Sequence, residues 1–157
     1  MRLVEASKFL HSLIEETDKK SEIKLYEKFL NIIVELEKRD LNETELQSIE
    51  EELNKLKLDA NTSIRKKYIR KILTAFTKYL KDKFSLIPEG YYTQLGLAIG
   101  LTFGVALGLS VGNSMEIDNG MTYGLIFGMI FGLAFGKQKD SAAEKQNRVL
   151  KNNSNKK

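Results

Sequence analysis

The sequence predicts an all-α protein in which an N-terminal helical bundle precedes a two-helix transmembrane hairpin. Three observations support this class. Apolar residues recur at helical spacing through residues 1–86. Residues 91–136 contain no basic and two acidic side chains. Within that segment, glycine returns at every fourth position.

The first 86 residues are predicted to form a cytosolic domain of about four helices. Asn42 with Glu45 three positions later is a capping-box pattern, which predicts the start of the third helix. Pro88 and Gly90 end the fourth, because proline disfavours helix in the residue before it. His11, the only histidine, is expected on a helix surface. The expected inward residues are Leu3, Ala6, Leu10, Leu13 and Ile14; Ile23, Tyr26, Leu30 and Ile33; Leu46, Ile49, Leu53 and Leu56; and Ile69, Ile72, Leu73, Phe76 and Leu80.

The chain has a net charge of +4, and its charged residues are unevenly distributed along the sequence. Residues 1–60 carry 10 basic and 15 acidic side chains, whereas residues 61–90 carry 8 and 2. The fourth helix, predicted over residues 62–84, is therefore a basic juxtamembrane helix that we expect to contact lipid headgroups. An acidic ligand, a nucleotide, an oligonucleotide or a partner protein is the alternative at this domain. The basic residues are Arg65, Lys66, Lys67, Arg70, Lys71, Lys78, Lys81 and Lys83.

The ten recurrent glycines favour a membrane environment over water. Glycine in a water-exposed helix costs about 1 kcal/mol relative to alanine, so ten would cost about 10 kcal/mol, comparable with the stability of a small domain. In a bilayer no water competes for the backbone, and glycine is common in membrane helices. Residues 93–112 and 120–136 are uncharged and near spanning length. The glycines are Gly96, Gly100, Gly104, Gly108, Gly112, Gly120, Gly124, Gly128, Gly132 and Gly136.

A pore-forming β-hairpin is the structural alternative, because a period of four is also a multiple of two. Both runs exceed the roughly 9 to 11 residues of a barrel strand, and Ile126 and Ile130 would then face the lumen. The helical interpretation is therefore preferred.

The basic residues also predict the orientation of the hairpin. They precede it in the fourth helix and follow it in residues 137–157, a segment expected to be a basic, flexible cytosolic tail. The connecting loop holds only Glu116 and Asp118. Because positive residues remain on the cytoplasmic side, we expect a multi-pass protein of the inner (cytoplasmic) membrane with both termini cytoplasmic.

The glycine spacing further predicts association between copies. Residues four apart advance about 400° around an α-helix, so each glycine column drifts by roughly 40° per step. One straight neighbour cannot cover such a surface, whereas two neighbours, or one helix that crosses with a right-handed twist, could. The pattern favours a packed multi-helix assembly, and homo-oligomerisation is the expected consequence.

One column of the first membrane helix is a candidate pore lining. It points roughly opposite to the glycines and consists of small or mildly polar residues, whereas the matching column of the second helix contains isoleucine. The alternative is that its hydroxyls bond to their own backbone and the small faces merely permit close packing. The candidates are Gln94, Ala98, Thr102, Ala106 and Ser110.

The composition argues against an enzyme. There is no cysteine, so a thiolate metal site or a cysteine nucleophile is excluded. No phosphate-binding or dinucleotide motif follows a predicted strand. We therefore expect no catalytic residue, no metal and no cofactor.

At its glycine columns the chain resembles the broad class of small two-helix glycine-zipper membrane proteins. That class includes oligomeric channel helices and the two-helix scaffold that shapes mitochondrial cristae, and the motif does not choose between them. The resemblance implies either a homo-oligomeric channel or pore regulated by the cytosolic domain, as an effector gated by a ligand or partner, or a non-conducting scaffold or membrane anchor. Residues 1–86 resemble no family.

Overall fold

The computed structural model describes residues 1–58, 65–115 and 118–151 of the 157-residue chain. These residues are mostly helical and form two compact units. The N-terminal unit is Met1–Pro88, to which Leu150 also belongs, and the C-terminal unit is Glu89–Val149. The predicted all-α class is confirmed, and the β-hairpin alternative is wrong because both glycine-rich segments are helices.

The N-terminal unit contains four of the described helices. They are α1 (Leu3–Glu15), α2 (Lys20–Glu37), α3 (Glu43–Leu56) and α4 (Arg65–Phe84). Residues 62–64, where the basic helix was predicted to begin, lie outside the described residues. Two-residue strands, β1 (Ile87–Pro88) and β2 (Val149–Leu150), pair in a small sheet.

Apolar periodicity explains most of the core of this unit. All five inward residues predicted for α4 are buried, and Phe76 packs against Phe29 of α2 with ring centroids 5.8 Å apart. The capping box of α3 is present: the Asn42 side chain accepts from the Glu45 backbone at 2.8 Å. His11 is exposed, as predicted. Leu46, in contrast, is 36% exposed, because only the later part of α3 is buried in the core.

The C-terminal unit contains two long apolar helices, α5 (Tyr91–Ser114) and α6 (Gly120–Lys145). Both are long and apolar enough to cross a membrane. Glu116 of the predicted connecting loop lies outside the described residues.

The structure differs from the prediction of a flexible tail after residue 136. Helix α6 continues to Lys145, nine residues beyond the last glycine. Leu150 is 2% exposed and belongs to the hydrophobic core of the N-terminal unit. Val149 and Leu150 are the only large apolar residues of 137–157, and both are buried, which removes their apolar surface from water. Residues 152–157 lie outside the described residues.

Candidate functional site in the helical hairpin

The glycine columns of α5 and α6 face each other within one chain. A methyl group placed on Gly100 would lie 2.1 Å from the carbonyl oxygen of Gly128, and one on Gly104 would lie 2.3 Å from that of Gly124. Side-chain β-carbons essentially never approach other atoms more closely than 3.0 Å. Only glycine fits at these positions, and its Cα–H groups lie against carbonyl oxygens of the other helix. The contact repeats along the hairpin at Gly96, Gly108, Gly120, Gly132 and Gly136.

This contact changes what the glycines imply about assembly. The sequence favoured a multi-helix assembly but also allowed one crossing neighbour, and each column has a partner in its own chain. The closest backbone approach along these columns is therefore between α5 and α6 of the same chain.

The candidate pore-lining column occupies the side of α5 that points away from α6. All five of its residues are exposed. Thr102 Oγ1 donates to the Ala98 carbonyl at 2.9 Å, and Ser110 Oγ donates to the Ala106 carbonyl at 3.0 Å. The hydroxyl hydrogens are therefore satisfied inside the helix, although each oxygen can still accept a hydrogen bond. The structure places these residues on one face, and this geometry suits both a water-lined wall and a close-packed interface.

A broad apolar groove lies on one side of the hairpin. Phe103 of α5 and Phe131 of α6 are 65% and 71% exposed, and the groove between the two helices has a volume of about 500 Å³. Large apolar side chains are thus exposed side by side along the groove, as is typical of surfaces that contact protein or membrane. Its floor is formed by glycines, and its walls are formed by Ile99, Phe103, Leu107, Phe127, Phe131 and Phe135.

The first turn of α5 is capped by a carboxylate from the far end of α6. Asp140 accepts hydrogen bonds from the backbone N–H groups of Tyr92 and Thr93, each at 2.9 Å. The residue before the helix, Gly90, has a φ of 72° and no side chain, so it supplies no cap of its own. Asp140 satisfies two of the four N–H groups that every helix leaves unpaired at its start, and its charge suits the positive end of the helix dipole.

Sequence reasoning missed Asp140 because its partners lie more than forty residues earlier in the chain. The available signals were weak. Gly90 cannot cap a helix with a side chain, and Asp140 is one of two acids among seven bases in residues 137–157.

The eight predicted basic residues of α4 divide into two groups. Arg65 pairs with Glu16 at 2.7 Å, and Lys66 donates to Ser21 Oγ at 2.7 Å. Lys83 donates to Ser48 Oγ and also lies over the Tyr79 ring. Lys81 lies 3.7 Å from Asp82. The four exposed residues of the other group are Lys67, Arg70, Lys71 and Lys78.

The environment of Tyr26 shows that Arg65 acts within the N-terminal unit. Tyr26 is 1% exposed, and burial raises the pKa of its phenol. Glu22 and Glu16 raise this pKa further, whereas Arg65 lowers it. Arg65 therefore belongs to a local charge network with Glu16, which follows α1, and Glu22 of α2.

No protein-family model, curated protein or solved structure matches this chain.

The first prediction concerns the glycine contact. Gly100→Leu should push the helices apart, because the new side chain would collide with the rigid backbone at Gly128. The interaxial distance should rise to the 8–10 Å that is usual for packed helices with side chains between them. The measurement is the electron–electron distance between spin labels at Thr102 and Ile126, both exposed, in bilayer nanodiscs.

Leu101→Ala is the matched control, since it shortens a half-buried side chain next to the contact and leaves the backbones together. An unchanged distance in Gly100→Leu would contradict the observed packing.

The second prediction concerns the Asp140 cap. Asp140→Ala removes both acceptors, so hydrogen exchange at Tyr92 and Thr93 should accelerate about fivefold, corresponding to about 1 kcal/mol for a lost cap. Asp140→Asn keeps one acceptor and should give a smaller effect. Asp118→Asn, which changes an exposed aspartate elsewhere, is the control. Equal exchange in Asp140→Ala and the unmodified chain would show that the cap contributes nothing.

Proposed function

We propose that the chain is an integral membrane protein of the inner (cytoplasmic) membrane, with α5 and α6 crossing the bilayer as a glycine-zipper hairpin. Three features support this proposal. The two helices have suitable length and composition. Large apolar side chains cover the outside of the hairpin, and Phe131 is 71% exposed. Basic residues flank the two apolar segments, whereas the connecting loop has none.

Within this membrane protein, the small-residue face of α5 is proposed to mediate homo-oligomerisation and to line a channel or pore. The observation that carries the proposal is the arrangement of the outward faces. The glycines are occupied inside the hairpin, so the small residues Ala98, Thr102, Ala106 and Ser110 allow the α5 helices of several copies to gather around one axis, with this face directed towards the axis. Because residues 93–112 and 120–136 contain no charged residue, a weakly selective pore or an apolar gate fits better than an ion-selective ring.

The N-terminal unit is proposed to act as the cytosolic regulatory domain. Residues 85–90 are all that separates α4 from α5 along the chain. A ligand or partner that shifts α4 would therefore also shift α5. It would change the equilibrium between two states of the pore if it binds those states with different affinity. In this proposal the protein is not an enzyme and needs no cofactor.

A non-conducting scaffold or membrane anchor is the second candidate. It is favoured by the hydrogen bonds of Thr102 and Ser110 to their own helix, because such hydroxyls need no water-filled path. The same small face would then serve only to pack copies together.

The third prediction concerns topology. Reporter fusions at Asp118 and after Lys157 should report opposite sides of the membrane, with the latter cytoplasmic, because the flanking cations resist translocation. Fusion at Met1 serves as a second cytoplasmic reference. The same side for Asp118 and Lys157 would contradict the hairpin.

The fourth prediction separates the pore from the scaffold. Single cysteines at Ala98, Thr102 and Ala106 should react with a water-soluble thiol reagent in the conducting state, whereas cysteines at Phe103 and Phe131 should not. The two phenylalanines are suitable controls because they are highly exposed on the apolar groove. Leu101 is less informative, since it is half-buried beside the helix contact.

The same face should tolerate charge if it lines water. The Thr102→Asp variant should still assemble, and its ion leak from liposomes should become more selective for cations, because a ring of carboxylates concentrates cations. Phe131→Asp should instead carry a cost of roughly 2.5 to 3.5 kcal/mol for a charge in hydrocarbon, and insertion should fall. If none of the cysteines reacts with the reagent and the liposomes show no ion flux, the scaffold is favoured.

A further inference from the structure

The four exposed cations of α4 form one continuous face. On an α-helix each residue advances by about 100°, so Lys67, Lys71 and Lys78 lie within about 40° of one another. Arg70 lies about 60° from Lys67, on the side away from Lys71. The face extends over about 17 Å of helix from Lys67 to Lys78. Thr74 lies at its centre and is exposed. This set, Lys67, Arg70, Lys71 and Lys78, is called the basic face below.

The basic face is not used to hold the N-terminal unit together. Within the described residues, its four cations make no ion pair. Arg65, Lys66 and Lys83, in contrast, each bond to a residue of that unit outside α4. The nearest acid along the same helix face is Asp82, which lies beside Lys81. The face therefore presents four positive charges to an external partner.

We infer that the basic face docks on the anionic lipid headgroups of the leaflet through which α5 enters the membrane. This inference rests on the proposed membrane insertion. Anionic leaflets attract juxtamembrane basic segments, and each cation near the surface adds to the attraction. Residues 85–90 are the whole connection to α5, so the C-terminal end of α4 lies within about 20 Å of chain of the start of α5.

The chemistry of the face fits headgroups better than it fits nucleic acid. Single-stranded nucleic acid is bound by stacking its bases on aromatic side chains beside the cations. The two tyrosines of α4 are turned inward: Tyr68 donates to the Lys57 carbonyl at 2.9 Å, and Tyr79 donates to the Ser48 carbonyl at 3.0 Å. Neither hydroxyl points away from the unit, so the face offers cations without a stacking platform.

A folded protein partner fits less well for a different reason. The centre of a protein interface is depleted in charge and rich in aromatic residues. The exposed residues at the centre of the basic face are Lys71, Thr74 and Lys78, and none of them is apolar. A purely cationic surface on flexible side chains matches a fluid array of phosphates, which imposes no fixed geometry.

The experiment uses the full chain in liposomes made with and without phosphatidylglycerol. A single cysteine replaces Thr74, and a fluorophore attached there is tested with a water-soluble quencher. In a second protein the label replaces Thr44, which is exposed on α3. We expect the label at 74, and not the label at 44, to be protected when phosphatidylglycerol is present. The protection should disappear in high salt, which shortens the Debye length from about 10 Å at 0.1 M to about 3 Å at 1 M.

Charge removal identifies the residues responsible. Each cation removed from the basic face should weaken docking about fivefold, so Lys67→Gln, Arg70→Gln, Lys71→Gln and Lys78→Gln together should abolish it. The control variant, Arg65→Gln with Lys66→Gln and Lys83→Gln, removes charges that are bonded within the unit, and it should retain most of the protection. Circular dichroism of each variant checks that the helices are intact.

Liposome flotation after an alkaline carbonate wash keeps the two hypotheses apart. A chain that does not float with the lipid contradicts the proposed membrane insertion. A chain that floats but shows no lipid-dependent protection at 74 overturns the docking inference alone. Protection in neutral liposomes that grows with protein density would also overturn it, because the face would then meet a second copy.

Discussion

The contact between two glycine backbones is the constraint on which the C-terminal unit depends. Wherever α5 meets α6, a carbonyl oxygen of one helix occupies the place that a β-carbon of the other would take. The pairing of Gly100 with Gly128 and of Gly104 with Gly124 also fixes the register, since a slip of one residue would bring Leu101 or Leu125 into the contact. In a bilayer, where no hydrophobic force draws helices together, close backbone packing of this kind is a main source of association.

The same contact determines what the rest of the hairpin can do. With the glycines turned inward, three other kinds of surface face outward: the small column of α5, the aromatic groove, and the isoleucines of α6. They differ in chemistry. The first permits close approach of another helix, whereas the others present bulky side chains such as Phe131 and Ile130 to their surroundings. The proposed oligomer and pore follow from this asymmetry between the two helices.

Local signals in the sequence were sufficient for the helices and most of the bundle core. The five inward residues of α4 follow a 3.6-residue period, and the Asn42 cap depends on residues three positions apart. Both features are local. The exposure of Leu46 depends instead on where the core ends, and the sequence pattern of α3 does not predict that boundary.

The features that could not be predicted are non-local. The glycine columns indicate that something approaches closely, but their spacing does not distinguish a helix of the same chain from one of another copy. Asp140 and its partner Thr93 lie on different helices, and no pattern in either segment links them. Some cations of α4 are bonded within the N-terminal unit and others are exposed. The partners of Arg65 and Lys66 are Glu16 and Ser21, which are distant in sequence, so no local pattern links them.

The central claim is that the glycine faces are occupied within each chain and that copies meet through the small face of α5. Disulfide cross-linking in native membranes tests it most directly, because the chain has no cysteine of its own. Single cysteines at Ala98 and Ala106 should give covalent dimers, and those at Ile99 and Phe131 should remain monomeric. Dimers at Phe131 with none at Ala106 would contradict the account, since the aromatic groove would then be the surface that joins the copies.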